Sequence, residues 1–159
     1  MAAVDHDRDL FDADIENVEN LMRDFYLSFE IENEYFAINV LNVIEIISMN
    51  KITPVPELPP YIKGVINLRG EVIPIIDVRT RFEKPEIEVT ESTCIIQIKY
   101  DGYDLGLIVD KVIGTLTIPE EQVAPPPSAK LRVANRFIRN IGRVGDDVYL
   151  LVDLQNLIK

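Results

Sequence analysis

The side chains that most often do chemistry near neutral pH are scarce in this chain of 159 residues. Histidine is the usual general acid or base because its charge changes between about pH 5 and 8. The one histidine is His6, close to the N-terminus. The one cysteine, Cys94, sits between Thr93 and Ile95 in an apolar stretch with no histidine to activate it, so it reads as a buried structural thiol. No Gly-x-Ser-x-Gly elbow, glycine-rich phosphate loop or Cys/His cluster at zinc spacing is present. Asp5, Asp7, Asp9 and Glu16 fall on positions one, three, five and twelve of a calcium loop. The glycine that such a loop needs for its sharp turn is Leu10, and its apolar position is Asp12, so a solvated acidic segment is the better reading. Carboxylate pairs such as Asp146-Asp147 lie where a turn explains them. These residues imply no metal, no cofactor and no catalytic set.

Charge narrows the partners. Sixteen basic and 27 acidic residues give a net charge of −11 and a pI near 4.5. Nucleic-acid binding rests on neutralising phosphates with Lys and Arg, and an anionic membrane repels an acidic surface, so both are disfavoured. Eight acids face two bases within residues 1–24, so more than half of the net charge sits in that short segment. No apolar run reaches the roughly 18 residues of a membrane span, no secretory leader opens the chain, and one cysteine cannot make an internal disulfide. A soluble protein of a reducing cytoplasm is the expectation.

The elements that would position any site are mostly strands. Ile and Val make up 38 of the 159 residues, alongside 10 prolines, 7 glycines and no tryptophan. Residues 1–13 read as a disordered acidic tail. Ile15, Val18, Leu21 and Met22 recur at helical spacing behind Asp14, which predicts a short amphipathic helix over 14–23. From Asp24 the period changes to two, with Phe25, Leu27, Phe29 and Ile31 alternating with polar or aromatic neighbours. Further strands are expected over Tyr35–Val40, Gly64–Leu68, Val72–Val78, Thr93–Tyr100, Tyr103–Val109, Val112–Ile118, Phe137–Val144 and Val148–Leu154. Tight turns such as Arg69-Gly70 and Asp101-Gly102 join them. Pro74 lacks an N–H, which argues for an edge strand or a bulge at that point.

The parts repeat in order. Tyr35 with Val43-Ile44 returns as Tyr103 with Val112-Ile113, a proline cluster follows each, and Ile75-Ile76-Asp77 returns as Leu151-Val152-Asp153. A unit of about 65 to 75 residues used twice favours two similar five-stranded barrels packed together. The expected lobes run over roughly 24–84 and 85–159, with exchange of strands between them left open.

The stretch Gly64-Val65-Ile66-Asn67-Leu68-Arg69-Gly70, followed by Val72-Ile73-Pro74-Ile75-Ile76-Asp77-Val78-Arg79, places Arg69 at the tip of an otherwise apolar hairpin. Arginine is the charged residue most favoured as an interface hot spot. This stretch resembles the CheW family of bacterial chemotaxis coupling proteins, and the resemblance continues from about Asp24 to Lys159. It takes in Tyr35, Val43-Ile44-Glu45-Ile46, Gly102, Gly106, Val109-Asp110, Glu121-Gln122-Val123 and Leu150-Leu151-Val152-Asp153. The resemblance implies two SH3-like five-stranded barrels and a non-catalytic adaptor linking the cytoplasmic tip of chemoreceptors to the regulatory domain of the histidine kinase CheA. It also implies a cytoplasmic protein, monomeric when isolated and recruited to receptor arrays.

Carried over by position, Val43, Glu45, Gly64 and Arg69 match places sensitive for receptor or kinase coupling. Ile46, Val123, Ala124 and Ser128 match kinase-contacting regions, although Ala124 stands where many members have arginine. Each has a structural alternative: core packing for Val43 and Ile46, a backbone turn for Gly64, solvation for Glu45. The competing functions are a CheW-like domain of another signalling protein, an unrelated ligand-binding double barrel, and a hydrolase built on carboxylates.

Overall fold

The computed structural model describes residues 17–127 and 135–159. The acidic tail expected over 1–13 and the calcium-like pattern that ends at Glu16 lie outside the described residues. Of the helix expected over 14–23, residues 17–22 are described and are helical (α1), with Val18 and Leu21 exposed rather than packed on the core.

The described residues form eleven strands in two sheets. One sheet runs in the order β8-β1-β2-β11-β10-β9 and the other β3-β6-β7-β5-β4. The first contains β1 (Phe25–Ile31), β2 (Glu34–Asn39), β8 (Lys111–Thr117), the two-residue β9 (Val123–Ala124), β10 (Ile138–Val144) and β11 (Asp147–Val152). The second contains β3 (Val43–Ser48), β4 (Ile62–Leu68), β5 (Glu71–Asp77), β6 (Cys94–Tyr100) and β7 (Tyr103–Val109). The expected strands are present to within about two residues at each end. β3 was not predicted as a strand, because Ile44, Ile46 and Ile47 put apolar residues on both of its faces and blur the alternation.

Both sheets are built alike. Each has an antiparallel hairpin at its centre (β1–β2 or β6–β7), flanked on one side by a single strand (β8 or β3). On the other side a second hairpin joins by a parallel contact, β11 on β2 and β5 on β7. The sequence repeat runs β1 to β5 and then β6 to β11, but each sheet takes its central hairpin from the opposite repeat. The lobes are therefore not the consecutive stretches 24–84 and 85–159. One is β3 to β7, and the other is made from the strands before and after it. Exchange costs nothing locally, because each hairpin forms its own turn and register before it meets the other strands.

Matching details occur in both lobes. A bulge shifts β4 against β5 between Ile62 and Gly64, and the same shift occurs in β10 against β11 between Ile138 and Asn140. Beyond β3 the chain bends so that Thr53 pairs with Val65 of β4, and beyond β8 it bends so that β9 pairs with β10. Each bend brings the free edges of a sheet together, as a small barrel requires. Asp77 and Asp153 then cap the short helices α2 (Val78–Arg81) and α3 (Leu154–Ile158), their carboxylates accepting from the backbone N–H of Arg79 and Asn156.

Pro74 departs from expectation. Its strand is not an edge, because β5 lies between β7 and β4. Its partner Val65 turns its N–H and C=O to Thr53 at 2.9 and 2.8 Å, and the parallel ladder to β7 begins only at Ile75. No ladder bond needs the missing N–H there.

Alternate side chains of the two sheets point to different cores. Leu27, Phe29, Ile38, Ile76, Ile96, Ile98 and Leu107 fill a layer shared by both lobes, extended by the ring series Phe36, Phe82 and Phe137. Ile66, Ile73, Ile75 and Ile95 fill the second lobe on its own side, and Ala37, Ile118 and Leu151 fill the first. Arg81 ties the lobes together: its guanidinium donates to the carbonyls of Leu157, Asn156 and Lys159 and lies over the Tyr61 and Phe137 rings.

Candidate partner-binding surface

Arg69 projects from the turn between β4 and β5. Arg69 and Gly70 have φ of 51° and 86°, the two positive values that a tight hairpin turn favours, and the Gly70 N–H donates to Asn67 Oδ1. A glycine supplies one of these at no steric cost, and the other is imposed on Arg69. The turn aims the Arg69 side chain across the open end of the barrel to β3, where its guanidinium donates to Glu45 Oε1 at 2.5 Å. The two residues are 24 apart in sequence, and neither strand of the Arg69 hairpin pairs with β3. The Arg69 side chain remains mostly exposed and that of Glu45 partly so, which leaves a charged fork presented to solvent. An exposed pair of this kind adds little stability, about 0 to 1 kcal/mol.

The pair stands beside an apolar strip. Val43 turns inward against the shared core, whereas Ile44 and Ile46 face solvent at 44% and 47% exposure, with Leu41 just before them also exposed. The core reading therefore holds for Val43 and fails for Ile46. β3 pairs only with β6 along its length, so its other edge is free of a continuous partner. Exposed aliphatic residues on an edge strand next to a charged fork have the composition of a protein interface, an apolar centre with a polar rim.

Gly64 is a backbone requirement. Its φ is 145°, and a Cβ added there would stand 2.1 Å from the carbonyl oxygen of Thr53, the group that bonds Val65 and draws β4 toward the chain beyond β3. Only glycine allows that approach, so Gly64 acts on the Glu45–Arg69 face by holding the barrel shut. Val123 and Ala124 lie in the other sheet: Val123 packs toward the interior of the first lobe, and Ala124 is exposed on β9 opposite Ile141. Ser128 lies outside the described residues. Glu45 and Arg69 are thus in contact, Val43, Ile46 and Gly64 share their lobe, and Val123 and Ala124 belong elsewhere.

Gln97 beneath this surface and the Arg79–Asp110 pair at the β7–β8 corner were given no role by the sequence. Gln97 is buried opposite Glu45 in the β3–β6 ladder, and its side-chain oxygen has no hydrogen-bond partner. A lone Gln in the run Ile95-Ile96-Gln97-Ile98 was the available signal. Arg79 binds Asp110 through two nitrogens at 2.7 and 2.6 Å, and Asp110 also accepts from the Glu32 N–H at 2.9 Å. That charge-assisted hydrogen bond raises the Arg79 pKa, so the guanidinium stays charged. It locks the β7–β8 corner to α2.

Among the described residues nothing resembling a reaction centre is assembled. Among the described residues no group of His, Cys, Asp and Glu is placed to hold a metal ion, and no helix is long and apolar enough to cross a membrane. Cys94 is half-buried rather than fully buried, and desolvation pushes its thiol pKa up, away from the reactive thiolate.

The model of the CheW-like domain family matches residues 26–159. The chain belongs to the CheW-like family. It is 33% identical over 133 residues to the chemotaxis protein CheW of Klebsiella aerogenes, covering 84% of this chain and 80% of that one. It is 36% identical over 125 residues to CheW of Bacillus subtilis, covering 79% and 80%. Its fold is similar to the crystal structure of the scaffolding protein TtCheW from Thermoanaerobacter tengcongensis, with a TM-score of 0.81, 30% identity, and coverage of 87% and 94%. This CheW-like chain is therefore a chemotaxis scaffold of the adaptor type and not an enzyme. The mostly β, double-barrel architecture expected from the repeat is the architecture of the family.

Proposed function

We propose that this chain couples chemoreceptors to the histidine kinase CheA in the cytoplasm, and that the β3 face of the second lobe is where it grips them. The observation that carries this is the Glu45–Arg69 pair beside exposed Ile44 and Ile46. Arg69 offers guanidinium N–H groups to a carboxylate or carbonyl of a partner, and Glu45 fixes the fork in place without burying it. Val43 sets the height of β3 on the shared core, and Gly64 keeps the barrel end closed so that fork and strip stay side by side. Ile46 lies on the same strip, while Val123, Ala124 and Ser128 would meet the kinase at the rim of the other lobe. The protein is monomeric when isolated and reaches the membrane only through receptor arrays.

An adaptor passes a signal only if its contacts differ in free energy between the signalling states of its partners. A rigid double barrel suits that task. The ion pair and the edge strand act as fixed reporters of where receptor and kinase stand, and a small displacement of either partner changes how well the Arg69 fork is engaged. Co-sedimentation with receptor-tip fragments and the CheA regulatory domain tests the reading. Retention of both at tens of micromolar is the expected result, and retention of neither overturns it.

A further inference from the structure

Gln97 weakens the lobe in which it stands. It interrupts the run Ile95-Ile96-Gln97-Ile98 at 3% exposure, and its side-chain oxygen has no hydrogen-bond partner. A buried carbonyl without a donor costs stability, and leucine or methionine would fill the same volume without that loss. The first lobe treats the equivalent place differently. Its residue there is Ser28, whose hydroxyl donates to the Gly114 carbonyl at 2.9 Å, so that polar group is satisfied.

Strand register sets the unpaired oxygen at the barrel end that Arg69 crosses. Gln97 stands directly against Glu45 of β3 on one side and Gly106 of β7 on the other. Directly opposed residues of antiparallel strands point to the same face, with Cβ atoms about 5 Å apart. That face is the interior of the second lobe, because Ile95 and Ile47, each two residues along, pack into it. Gly106 has no side chain, so Glu45 is the polar neighbour of Gln97 across these two ladders. Arg69 spends one terminal nitrogen on Glu45 and has further N–H groups to offer. Lys99, next along this face of β6, lies 3.7 Å from Asp104 and is taken up there.

We propose that Gln97 is a positioning residue for the Glu45–Arg69 fork. Its uncancelled carbonyl dipole draws the guanidinium over the barrel end, while Glu45 holds it from the side. In surroundings of low dielectric an unpaired carbonyl acts strongly on a nearby cation. The unsatisfied group and the fork occur together in the second lobe, whereas Gly114 and Gly145 stand for Glu45 and Arg69 in the first. The stability lost at Gln97 is thus retained for the order of Arg69. This inference rests on the β3 face being the partner-binding surface and names the residue that holds that surface ready.

Gln97→Leu tests it, with Gln97→Met as a second variant should leucine pack badly. Tm is expected to rise by about 2 to 4 °C. Affinity for the partner that Arg69→Ala weakens is expected to fall about threefold or more. In an Arg69→Ala background the same change should leave that affinity where it was, because Gln97 acts through Arg69. In the isolated protein, nitrogen NMR should show the Arg69 guanidinium rotating faster about Nε–Cζ in Gln97→Leu, towards its rate in Glu45→Gln. A lower Tm in both variants, an unchanged rotation rate, or an affinity loss that persists without Arg69 would each overturn the proposal. So would a higher Tm with unchanged affinity. If the wild type retains neither partner, or Arg69→Ala weakens neither, the coupling reading falls alone, and the rotation rate decides whether Gln97 orders the fork.

Discussion

The two lobes share a strand order, a bulge, a bent closing segment and a capped helix, yet only one carries the charged fork. The position of Glu45 in the first lobe is Gly114, and the position of Arg69 is Gly145. Beneath them the buried polar residue changes from Gln97 to Ser28, whose hydroxyl donates to the Gly114 carbonyl at 2.9 Å. The bulge glycine, Gly64, becomes Asn140. Stability constrains what both lobes have in common: alternating apolar residues, caps and closed barrel ends. Apart from the Gly64–Asn140 exchange, what differs is free of that constraint, because an exposed ion pair contributes almost nothing to folding. The proposed function assigns this asymmetry to contact with something outside the chain.

Breaking the shared architecture should produce the largest effects, and they should themselves be unequal. Gly64→Val forces a side chain into the Thr53 carbonyl at positive φ and should cost about 3 to 4 kcal/mol in urea unfolding. Asn140→Val, at the twin position, should cost under about 1 kcal/mol, because Asn140 has no positive φ to strain a side chain. Arg79→Ala leaves Asp110 partly buried with its two strongest donors gone and should cost about 2 to 3 kcal/mol. Its counterpart Gln155→Ala should be close to neutral, as measured by the shift in Tm.

Arg69→Ala sharpens the comparison from the other side. It should lower partner affinity by about 1 to 3 kcal/mol while changing stability by less than about 0.5 kcal/mol. Restoring the pair in reverse, with Glu45→Arg and Arg69→Glu together, should recover less than half of the lost affinity, since a partner reads the sign of the fork as well as its position. The smallest effect concerns Cys94. Burial raises its thiol pKa, so native protein at pH 8 should react with an aromatic disulfide reagent several-fold more slowly than urea-unfolded protein. Equal rates would mean that the β3–β6 edge opens freely around it.

Much of this architecture was legible in the chain. Period-two alternation located the strands, paired turn residues located the hairpins, and the return of Val43 as Val112 revealed the duplication, although the register sets Tyr35 against Asp104 and not Tyr103. The exchange of hairpins was not legible, because a repeat keeps its spacing whether its strands pair within one copy or between two. β3 escaped for a local reason, with isoleucines on both faces, one set for the barrel and one left for solvent. Pro74 misled because its compensation lies in another segment, where Thr53 takes up the bonds of Val65. Glu45 and Arg69 could each be named, but their contact depends on closure of a barrel end by Gly64, which only the tertiary structure supplies. Val43 and Ile46 stand three residues apart, so once β3 is a strand whose exposure alternates residue by residue, only Ile46 of the two is left to solvent.

The most direct test of the central claim, that the fork on the β3 face is a partner-binding site, is a pair of titrations. Affinities for a receptor-tip fragment and for the CheA regulatory domain would be measured by calorimetry for the wild type, for Arg69→Ala and for Lys111→Ala, an exposed lysine on β8 of the other lobe. The account predicts a loss of about tenfold or more for Arg69→Ala with at least one partner, little change for Lys111→Ala, and the same Tm for all three proteins. Unchanged affinity of Arg69→Ala for both partners, or an equal loss from Lys111→Ala, would contradict it.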